Sequence, residues 1–478
     1  MSIKKELISG VFWSAIQRYS GLVVQLIVSA VLARMISPAD FGIVAIATVL
    51  INFMAVFTEM GIGPAIVQNR DLTEKDIHVI FSVTLYCGFF LGVVFFISSP
   101  VLSSLFDDSS LTLVCQILSI SLFFGTINIV PNALLLKYRR FKFIAKRTLL
   151  LQVIAGCISV VAAYKGLGIY SLLISPTLIA VSMFFFSYKC YPQKVYFCFT
   201  AEPLKKIFSF SAYQFLFNFV NYFSRNLDKL IIGKYLTLTD LGFYEKSYRL
   251  MMLPLQNVTH VITPVMHPIL STLQNNKIVL AEKYNKIIKL LATISFPLSV
   301  FLYLSANEVI YIVFGSQWEN SIPVFKILVL SLPFQMILSS AGSIYQASGK
   351  TNWLFFSCLI NTVFTVAGFL ISVFCFGTIE AVAWSWDIAI VIHIINSYLI
   401  LYKFVLKTSI VAMLKELLNP IFNGLLLFLV VGYFSYFLYD FDMYTSFFLK
   451  ALLSLFMTLF YIQLSKQYNI LKYISKIT

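Results

Sequence analysis

The stretch that decides the fold is residues 210–254, FSAYQFLFNFVNYFSRNLDKLIIGKYLTLTDLGFYEKSYRLMMLP. It carries charged residues inside two otherwise apolar segments, and part of it occurs a second time in the chain. Residues 232–242 read IGKYLTLTDLG, whereas residues 32–42 read LARMISPADFG. The matched pairs are Arg34 with Lys234, Asp40 with Asp240, and Gly42 with Gly242. A helix, a short turn and a second helix are therefore predicted twice.

The helices that lead into the two turns also share a short sequence. Residues 13–17 read WSAIQ and residues 210–214 read FSAYQ, at an offset that differs by about three residues from that of the turns. Internal repeats of this kind are typical of transporters that are built from two related helical bundles.

Composition indicates the broad class of the protein. The chain is 59% hydrophobic and 12% charged, with a mean hydropathy of +0.88, whereas soluble domains are roughly half apolar and a quarter charged. The first ten residues, MSIKKELISG, lead into a long apolar segment without a small-residue cleavage site, so we predict a retained span rather than a removed signal. The polar intervals are too short to fold alone. We therefore predict a multi-span membrane protein without a soluble domain.

Apolar runs long enough to cross a hydrocarbon layer of about 30 Å predict fourteen spans. Helices are expected because the runs are continuously apolar and about twice the length of a barrel strand. Proline residues within two of the runs indicate possible kinks or extensions out of the membrane. The predicted spans are 10–35, 39–60, 77–105, 111–136, 143–165, 168–190, 207–233, 240–270, 284–306, 322–348, 353–376, 380–405, 417–438 and 445–465.

The distribution of lysine and arginine predicts the orientation of these spans. If the amino terminus lies inside, the outside turns hold only Arg34, Lys165 and Lys234, and the inside loops hold many more basic residues. Basic loops stay on the cytoplasmic side, so we predict that both termini are cytoplasmic. This topology explains the net charge of +15. No nucleic-acid partner is predicted, because the basic residues are spread over many short segments.

Several short segments of the sequence resemble those of a known family. They are LARMISPADFG, then TEMGIGPAIVQ from residue 58, RNLDKLIIGKYLTLTDLGFYEKSYRLMMLP from residue 225, FGSQWENSIPVFKIL from residue 314 and YQASGKTNW from residue 345. Over essentially its full length the chain resembles Wzx-type polysaccharide flippases of the multidrug/oligosaccharidyl-lipid/polysaccharide exporter superfamily. It is most similar to the branch that exports colanic-acid-like or teichuronic-acid-like repeat units.

The resemblance implies an all-α membrane fold with two six-helix lobes, residues 1–200 and 201–406, around a central cavity. Residues 407–478 would add two further transmembrane helices and a cytoplasmic tail. The two copies of the repeat would be related by a pseudo-two-fold axis along the membrane normal, because an even number of spans separates them.

The implied function is a flippase of the bacterial cytoplasmic membrane. It would move undecaprenyl-pyrophosphate-linked oligosaccharide repeat units to the outer leaflet by alternating access, for O-antigen, capsule or exopolysaccharide synthesis. Implied partners are the lipid-linked substrate, membrane lipids, a polysaccharide polymerase and a chain-length regulator. No catalytic residue, cofactor or bound metal is expected, apart from a coupling H⁺ or Na⁺.

Charged residues inside the spans are the candidates for the functional site. A charge near the bilayer centre is costly unless it faces a partner or a wet cavity. Arg18 lies about ten residues, or roughly 15 Å of helix, into the first span. Arg225 and Asp228 are three residues apart in the seventh span, and Glu245 and Arg249 are four apart in the eighth, so each pair shares a helix face. The two pairs are predicted to meet across the hairpin.

Two interpretations of these charges remain open. The acids can neutralise the arginines and join the two helices. Alternatively, the excess of cations, which also includes Lys246, binds a lipid-linked pyrophosphate through two-point guanidinium contacts. On the second interpretation the substrate-binding residues are Arg18, Arg225, Lys229 and Arg249, and the gate or ion-coupling residues are Asp228, Glu245 and Asp387. Arg34 and Lys234, at helix ends, are interpreted as interfacial anchors.

Asp387 has no basic residue within four positions in the twelfth span. It is a candidate for proton or sodium coupling, with a solvated position near the outer surface as the alternative.

Two other function classes are weighed against a flippase. A membrane polymerase or glycosyltransferase is expected to carry a large external loop with catalytic residues, and the predicted external loops are short. A multidrug or other lipid-precursor exporter of the same superfamily is the closer alternative. An exporter of cations is expected to have an acidic cavity, so the basic residues favour an anionic substrate.

Overall fold

A computed structural model describes residues 3–59, 61–69, 71–197, 219, 222–223, 225–274, 276–438 and 440–465 of the chain. All regular secondary structure in these ranges is helical, and they contain no strand. The prediction of an all-α protein is therefore confirmed.

Nine helices, α1 to α9, are described before the second copy of the turn. They are Ile3–Met35, Pro38–Glu59, Ile62–Gln68, Glu74–Leu105, Ser110–Ile127, Ile129–Lys137, Phe141–Tyr164, Tyr170–Cys190 and 225–235.

Ten α-helices, α10 to α19, are described after that turn. They are Leu238–Ser271, Lys277–Leu304, Ala306–Val313, Ser321–Leu330, Leu332–Leu338, Ala341–Ala347, Thr351–Ile371, Ile379–Ile400, Val411–Phe437 and Met443–Leu464. Helices α16 and α17 each continue into a short π-helix, Ser372–Phe376 and Leu401–Leu406.

Eleven segments of the described chain are long and apolar enough to cross a membrane, or twelve if the segments 321–330 and 332–347, which are bent by 45°, form one span. Helix α10 is long but carries four charged residues in its first half. The predicted span at 207–233 lies largely outside the described residues. The multi-span membrane class is confirmed, and the number fourteen stays a prediction.

The helices that contain the prolines continue through them, and kinks at these residues stay a prediction. Helix α4 is continuous across Pro100 and α10 is continuous across Pro264 and Pro268. Because α4 has 32 residues, it is roughly 48 Å long and extends beyond a hydrocarbon layer of about 30 Å.

The chain forms two compact units, Met1–Gly242 and Phe243–Thr478, called here the first and the second unit. In the first unit α4 packs on α5, and α7 packs on both α1 and α8. In the second unit α11 packs on α18, and α16 packs on α17. The boundary between the units follows the second copy of the turn. The predicted divisions at residues 200 and 406 stay a prediction.

The two copies of the turn begin their second helices in the same way. Ser37 Oγ donates a hydrogen bond to Asp40 Oδ2 at 2.8 Å and accepts one from the Asp40 amide at 3.2 Å. Thr237 Oγ1 makes the same two bonds with Asp240, at 2.6 and 3.0 Å. This pattern stabilises a helix start, because it satisfies an amide group that has no partner within the helix. Ser37 and Thr237 therefore cap α2 and α10, each with the repeated aspartate of the first helical turn as its partner.

The repeated glycines bring the two turns together inside the first unit. A Cβ atom added at Gly42 would lie 1.9 Å from the carbonyl oxygen of Leu238, and one added at Gly242 would lie 2.0 Å from that of Pro38. Pro38 and Leu238 occupy the same position in the two copies of the turn. The contact is thus reciprocal, and no residue with a Cβ fits at either glycine without movement of the backbone.

Candidate functional site

The three arginines that the sequence singled out are all exposed. They lie in three different helices, Arg18 in α1, Arg225 in α9 and Arg249 in α10. Arg225 and Arg249 are each about ten residues, or roughly 15 Å of helix, from the turn that joins α9 and α10. Among the described residues, none of the three arginines forms an ion pair. Exposed guanidinium groups at this depth in apolar helices are expected to face water rather than lipid tails.

The predicted acidic partners lie in a different environment from the arginines. Asp228 is completely buried, and one of its carboxylate oxygens accepts a hydrogen bond from the Lys229 amide at 2.9 Å. Glu245 and the Lys229 side chain are half-buried. Arg225 and Asp228 therefore differ in exposure although they are only three residues apart. Residues three apart point in similar but not identical directions around an α-helix, so one can be exposed while the other is buried.

Lys246 differs from the three arginines because its side chain is 3% exposed. Its ammonium group lies 5.0 Å from the ring centre of Phe314 and 5.6 Å from that of Trp318, within the second unit. Aromatic faces stabilise a buried cation electrostatically. Lys246 is therefore held by aromatic rings and does not belong with the exposed arginines.

Asp387 in α17 is buried, with an exposed fraction of 6%. Its carboxylate interacts with Ser331, between α13 and α14, but neither oxygen has a partner among the described residues at normal hydrogen-bond distance and angle. The solvated position that the sequence left open for Asp387 is therefore wrong. A buried carboxylate with so little hydrogen bonding is expected to need a proton or a cation, because the bare charge is costly in an apolar interior.

An ion pair in the second unit was missed by the sequence analysis. Lys450 of α19 donates to Glu308 of α12, and Ser446 Oγ donates to the same carboxylate oxygen at 3.0 Å. Both charged side chains are about nine-tenths buried. The signal for this pair was a single lysine in an otherwise apolar run, and its partner lies too far along the chain for any spacing rule to reveal.

Lys234 was interpreted as an interfacial anchor, and the structure gives it a partner. Its ammonium group lies 2.9 Å from Asp107 Oδ2, which follows α4. Both side chains lie in the first unit, Lys234 about one-third exposed and Asp107 largely exposed, so the pair is expected to contribute little to stability.

A second feature that the sequence analysis missed is a cavity in the first unit. It has a volume of about 290 Å³ and lies between α2, α5, α6 and α8. Its polar lining includes Thr48, Asn52, Thr58, Ser121 and Thr126. We call it the polar cavity. The spacing of Thr48 and Asn52 in α2 was the available signal, because residues four apart share one helix face.

Comparison with known proteins places the chain in a family. A sequence profile described as "Polysaccharide biosynthesis protein" matches residues 31–323. The chain belongs to this polysaccharide biosynthesis protein family. The matched residues include both copies of the turn.

Two relatives of this polysaccharide biosynthesis protein match over most of their length. The teichuronic acid biosynthesis protein TuaB of Bacillus subtilis strain 168 is 25% identical over 423 residues, which cover 88% of this chain and 87% of TuaB. The lipopolysaccharide biosynthesis protein WzxC of Escherichia coli strain K12 is 24% identical over 435 residues, which cover 89% and 87% of the two chains. The resemblance to Wzx-type proteins that the sequence carries is confirmed.

Solved structures share the fold of this family member. The lipid II flippase MurJ in an inward closed conformation superposes with a TM-score of 0.77 at 18% identity, covering 96% of this chain and 99% of MurJ. An inward-facing multidrug resistance transporter of the MATE family, from the MOP superfamily, gives a TM-score of 0.62 at 18% identity, covering 79% and 93%. The protein therefore has a transporter fold of the MurJ and MATE type.

Proposed function

We propose that this protein is a flippase that moves undecaprenyl-pyrophosphate-linked oligosaccharide repeat units from the cytoplasmic to the outer leaflet of the bacterial inner membrane. The repeat units then enter O-antigen, capsule or exopolysaccharide synthesis, where a polymerase and a chain-length regulator act on them. Transport proceeds by alternating access and involves no covalent chemistry on the substrate.

The observation that carries this proposal is the exposure of Arg18, Arg225 and Arg249 at membrane depth. A substrate with a pyrophosphate group supplies the negative charge that these guanidinium groups lack among the described residues. Arginine suits this role because its planar group makes two-point contacts with phosphate oxygens. Lys229 is proposed as a fourth cation that contacts the substrate more weakly.

The acidic residues have other roles in this proposal. Asp228 and Glu245 act as gate residues whose environment changes during transport. Asp387 carries the coupling ion, either H⁺ or Na⁺, because its carboxylate is buried and forms no ion pair with a described residue.

Transport into proteoliposomes tests the proposed function. The purified protein is expected to accelerate the transfer of undecaprenyl-pyrophosphate trisaccharides across the bilayer. Arg18→Ala and Arg225→Ala are each expected to reduce the rate on the order of a hundredfold, since a charged hydrogen-bonded contact contributes about 1.5–3 kcal/mol. Arg18→Lys should recover part of the rate. The exposed loop residue Arg140 provides the control variant Arg140→Ala, which should transport normally.

Two results would contradict the proposed function. Wild-type protein that transports organic cations but no lipid-linked oligosaccharide is a multidrug exporter. Normal transport by both alanine variants would mean that the arginines do not bind substrate.

The proposed orientation has a separate test. Single cysteines at Asp107, Glu319 and Asp442, in a background without the native cysteines, should react with an impermeant reagent on intact cells. Cysteines at Arg140 and Lys283 should react only after lysis, because basic loops stay cytoplasmic. Reversed labelling at any of these sites would overturn the fourteen-span topology.

A further inference from the structure

The polar cavity of the first unit lies near the middle of α2. Thr48 and Asn52 line it about 10 and 14 residues after Pro38, the first residue of α2, which corresponds to roughly 15 and 21 Å of helix. Leu118 and Ser121 line it from α5, and Pro176 lines it from α8.

The lining of the polar cavity is neutral but able to form hydrogen bonds. The described residues that line it include hydroxyl groups and one amide but no charged side chain. Thr48 and Asn52 are exposed, although they lie near the middle of an apolar helix. Neither side chain makes a hydrogen bond to a described residue. An amide without partners costs about 2–7 kcal/mol in an apolar medium, so Asn52 needs water or a ligand.

One residue that lines the polar cavity, Gly125, has no side chain and leaves space unfilled. Gly125 of α5 is exposed and lines the cavity, and a Cβ atom added there would meet nothing within 4 Å. Neither a turn nor a close helix contact requires glycine at this position. Its effect is to leave room in the cavity that Asn52, Ser121 and Thr126 also line.

We infer that the polar cavity holds a neutral sugar ring of the lipid-linked oligosaccharide, with Asn52 and Thr48 as its hydrogen-bonding residues. The inference rests on the proposed function and assigns the glycan to a place apart from the arginines that contact pyrophosphate. The volume is at the lower end of small-molecule sites, which hold about 300–1,000 Å³, and so fits one monosaccharide ring rather than a whole repeat unit.

The chemistry of the lining favours a sugar over the two other parts of the substrate. Pyrophosphate would lose its hydration there without a cation to replace it, and buried charges need such a partner. A polyprenyl tail would leave the Asn52 amide and the Thr48 hydroxyl unpaired, which costs about 1–3 kcal/mol for each group. The hydroxyl groups of Thr58, Ser121 and Thr126 already donate hydrogen bonds within the protein. Sugar hydroxyls both donate and accept hydrogen bonds, as do the amide and hydroxyl groups of the cavity.

Binding to the full-length protein in nanodiscs tests this assignment. Two probes are compared, undecaprenyl pyrophosphate and undecaprenyl pyrophosphate that carries a neutral trisaccharide. The variants Asn52→Leu and Gly125→Leu should each bind the trisaccharide lipid on the order of tenfold more weakly, because one loses a hydrogen-bonding group and the other fills the cavity. Their affinity for undecaprenyl pyrophosphate should stay within about twofold of wild type.

Two controls separate this inference from general damage and from the proposed function. Gly432→Leu in α18 should bind both probes normally, because a Cβ atom added at Gly432 also meets nothing within 4 Å. Arg18→Ala should weaken both probes alike. An unchanged thermal unfolding temperature of each variant shows that it is folded.

Three outcomes would overturn the inference. The first is normal trisaccharide binding by both Asn52→Leu and Gly125→Leu, which leaves the proposed function intact. The second is an equal loss for both probes in these variants, which would place the lipid or the pyrophosphate in the cavity. The third is wild-type protein that binds neither probe, which overturns the proposed function together with the inference.

Discussion

Thr48 and Tyr248 occupy the same position in the two copies of the repeat, six residues after Gly42 and Gly242, yet their surroundings are opposite. Thr48 is exposed and lines the polar cavity of the first unit. Tyr248 is buried in the second unit, where its ring lies 5.5 Å from that of Trp386. Trp386 in turn stacks parallel to Phe369 at 6.2 Å.

The next turn of the same helices shows the same contrast. Asn52 lines the polar cavity, whereas Met252, at the matched position in α10, is 7% exposed. Large apolar side chains fill the space that small polar ones leave open. The repeat thus reproduces the helix, its cap and its close turn, while the side chains that follow decide whether the unit holds an open site or a packed core.

Buried tyrosines of the second unit pair with each other and with the backbone. Tyr284 and Tyr398 share a hydrogen bond of 2.9 Å, and the Tyr398 hydroxyl donates to the Ile337 carbonyl at 3.0 Å. Buried polar groups with partners rigidify a core. We therefore expect substitutions in this packed region of the second unit to lower stability, and substitutions at the polar cavity of the first unit to lower substrate binding.

The largest effect is expected from a deletion in the packed region. Trp386→Ala removes a large buried side chain and should lower the free energy of unfolding by about 3–5 kcal/mol. Thr48→Ala, in the open region, should change it by less than about 0.5 kcal/mol. Unfolding in mixed detergent measures both values. Similar losses for the two variants would mean that the two regions are equally packed.

A smaller effect is expected at the contact that the two copies share. Gly42→Ala and Gly242→Ala each place a methyl group against a carbonyl oxygen, and we expect each to cost about 1–3 kcal/mol. Spin labels at Met35 and Tyr235, both exposed, should move apart by a similar distance in both variants, as measured by electron spin resonance. Gly432→Ala serves as the control. A shift in one variant alone would show that the contact is not reciprocal in solution.

Asp387→Asn should abolish the coupling of transport to an ion gradient without lowering the stability of the protein. The variant keeps the shape of the side chain and removes its charge, so we expect stability within about 1 kcal/mol of wild type. Transport in proteoliposomes should become independent of the H⁺ or Na⁺ gradient, whichever drives the wild type. A gradient dependence that survives the substitution would exclude Asp387 as the coupling residue.

The smallest effect is expected for Thr48→Val, which replaces one hydroxyl in the open region with a methyl group. It should weaken binding of the trisaccharide lipid by about threefold to tenfold, the value of one neutral hydrogen bond. The matched substitution Tyr248→Phe should leave binding unchanged. A larger loss for Tyr248→Phe would place the glycan in the second unit.

Much of the fold is predictable from the sequence because the relevant signals are local. Apolar runs identify spans, and a short motif in each copy identifies the turn, since capping and helix periodicity act within a few residues. Arg18, Arg225 and Arg249 could be selected as candidate site residues for the same reason, because charge in an apolar run is visible without a structure. The burial of Lys246 beneath Phe314 and Trp318 was not, because those rings lie about seventy residues further along the chain.

The sequence by itself determined that this protein is a helical, multi-span membrane protein with an internal repeat, because hydropathy and repetition are properties of the chain. The tertiary structure alone decided that Gly42 and Gly242 face each other's turns, that Asp387 is buried, that Lys450 reaches Glu308, and that a neutral cavity lies beside Asn52. Each of these depends on which distant side chains meet and how completely they fill the space between helices. Packing of this kind is set by the volumes and contacts of residues far apart in sequence, and no local sequence pattern predicts it.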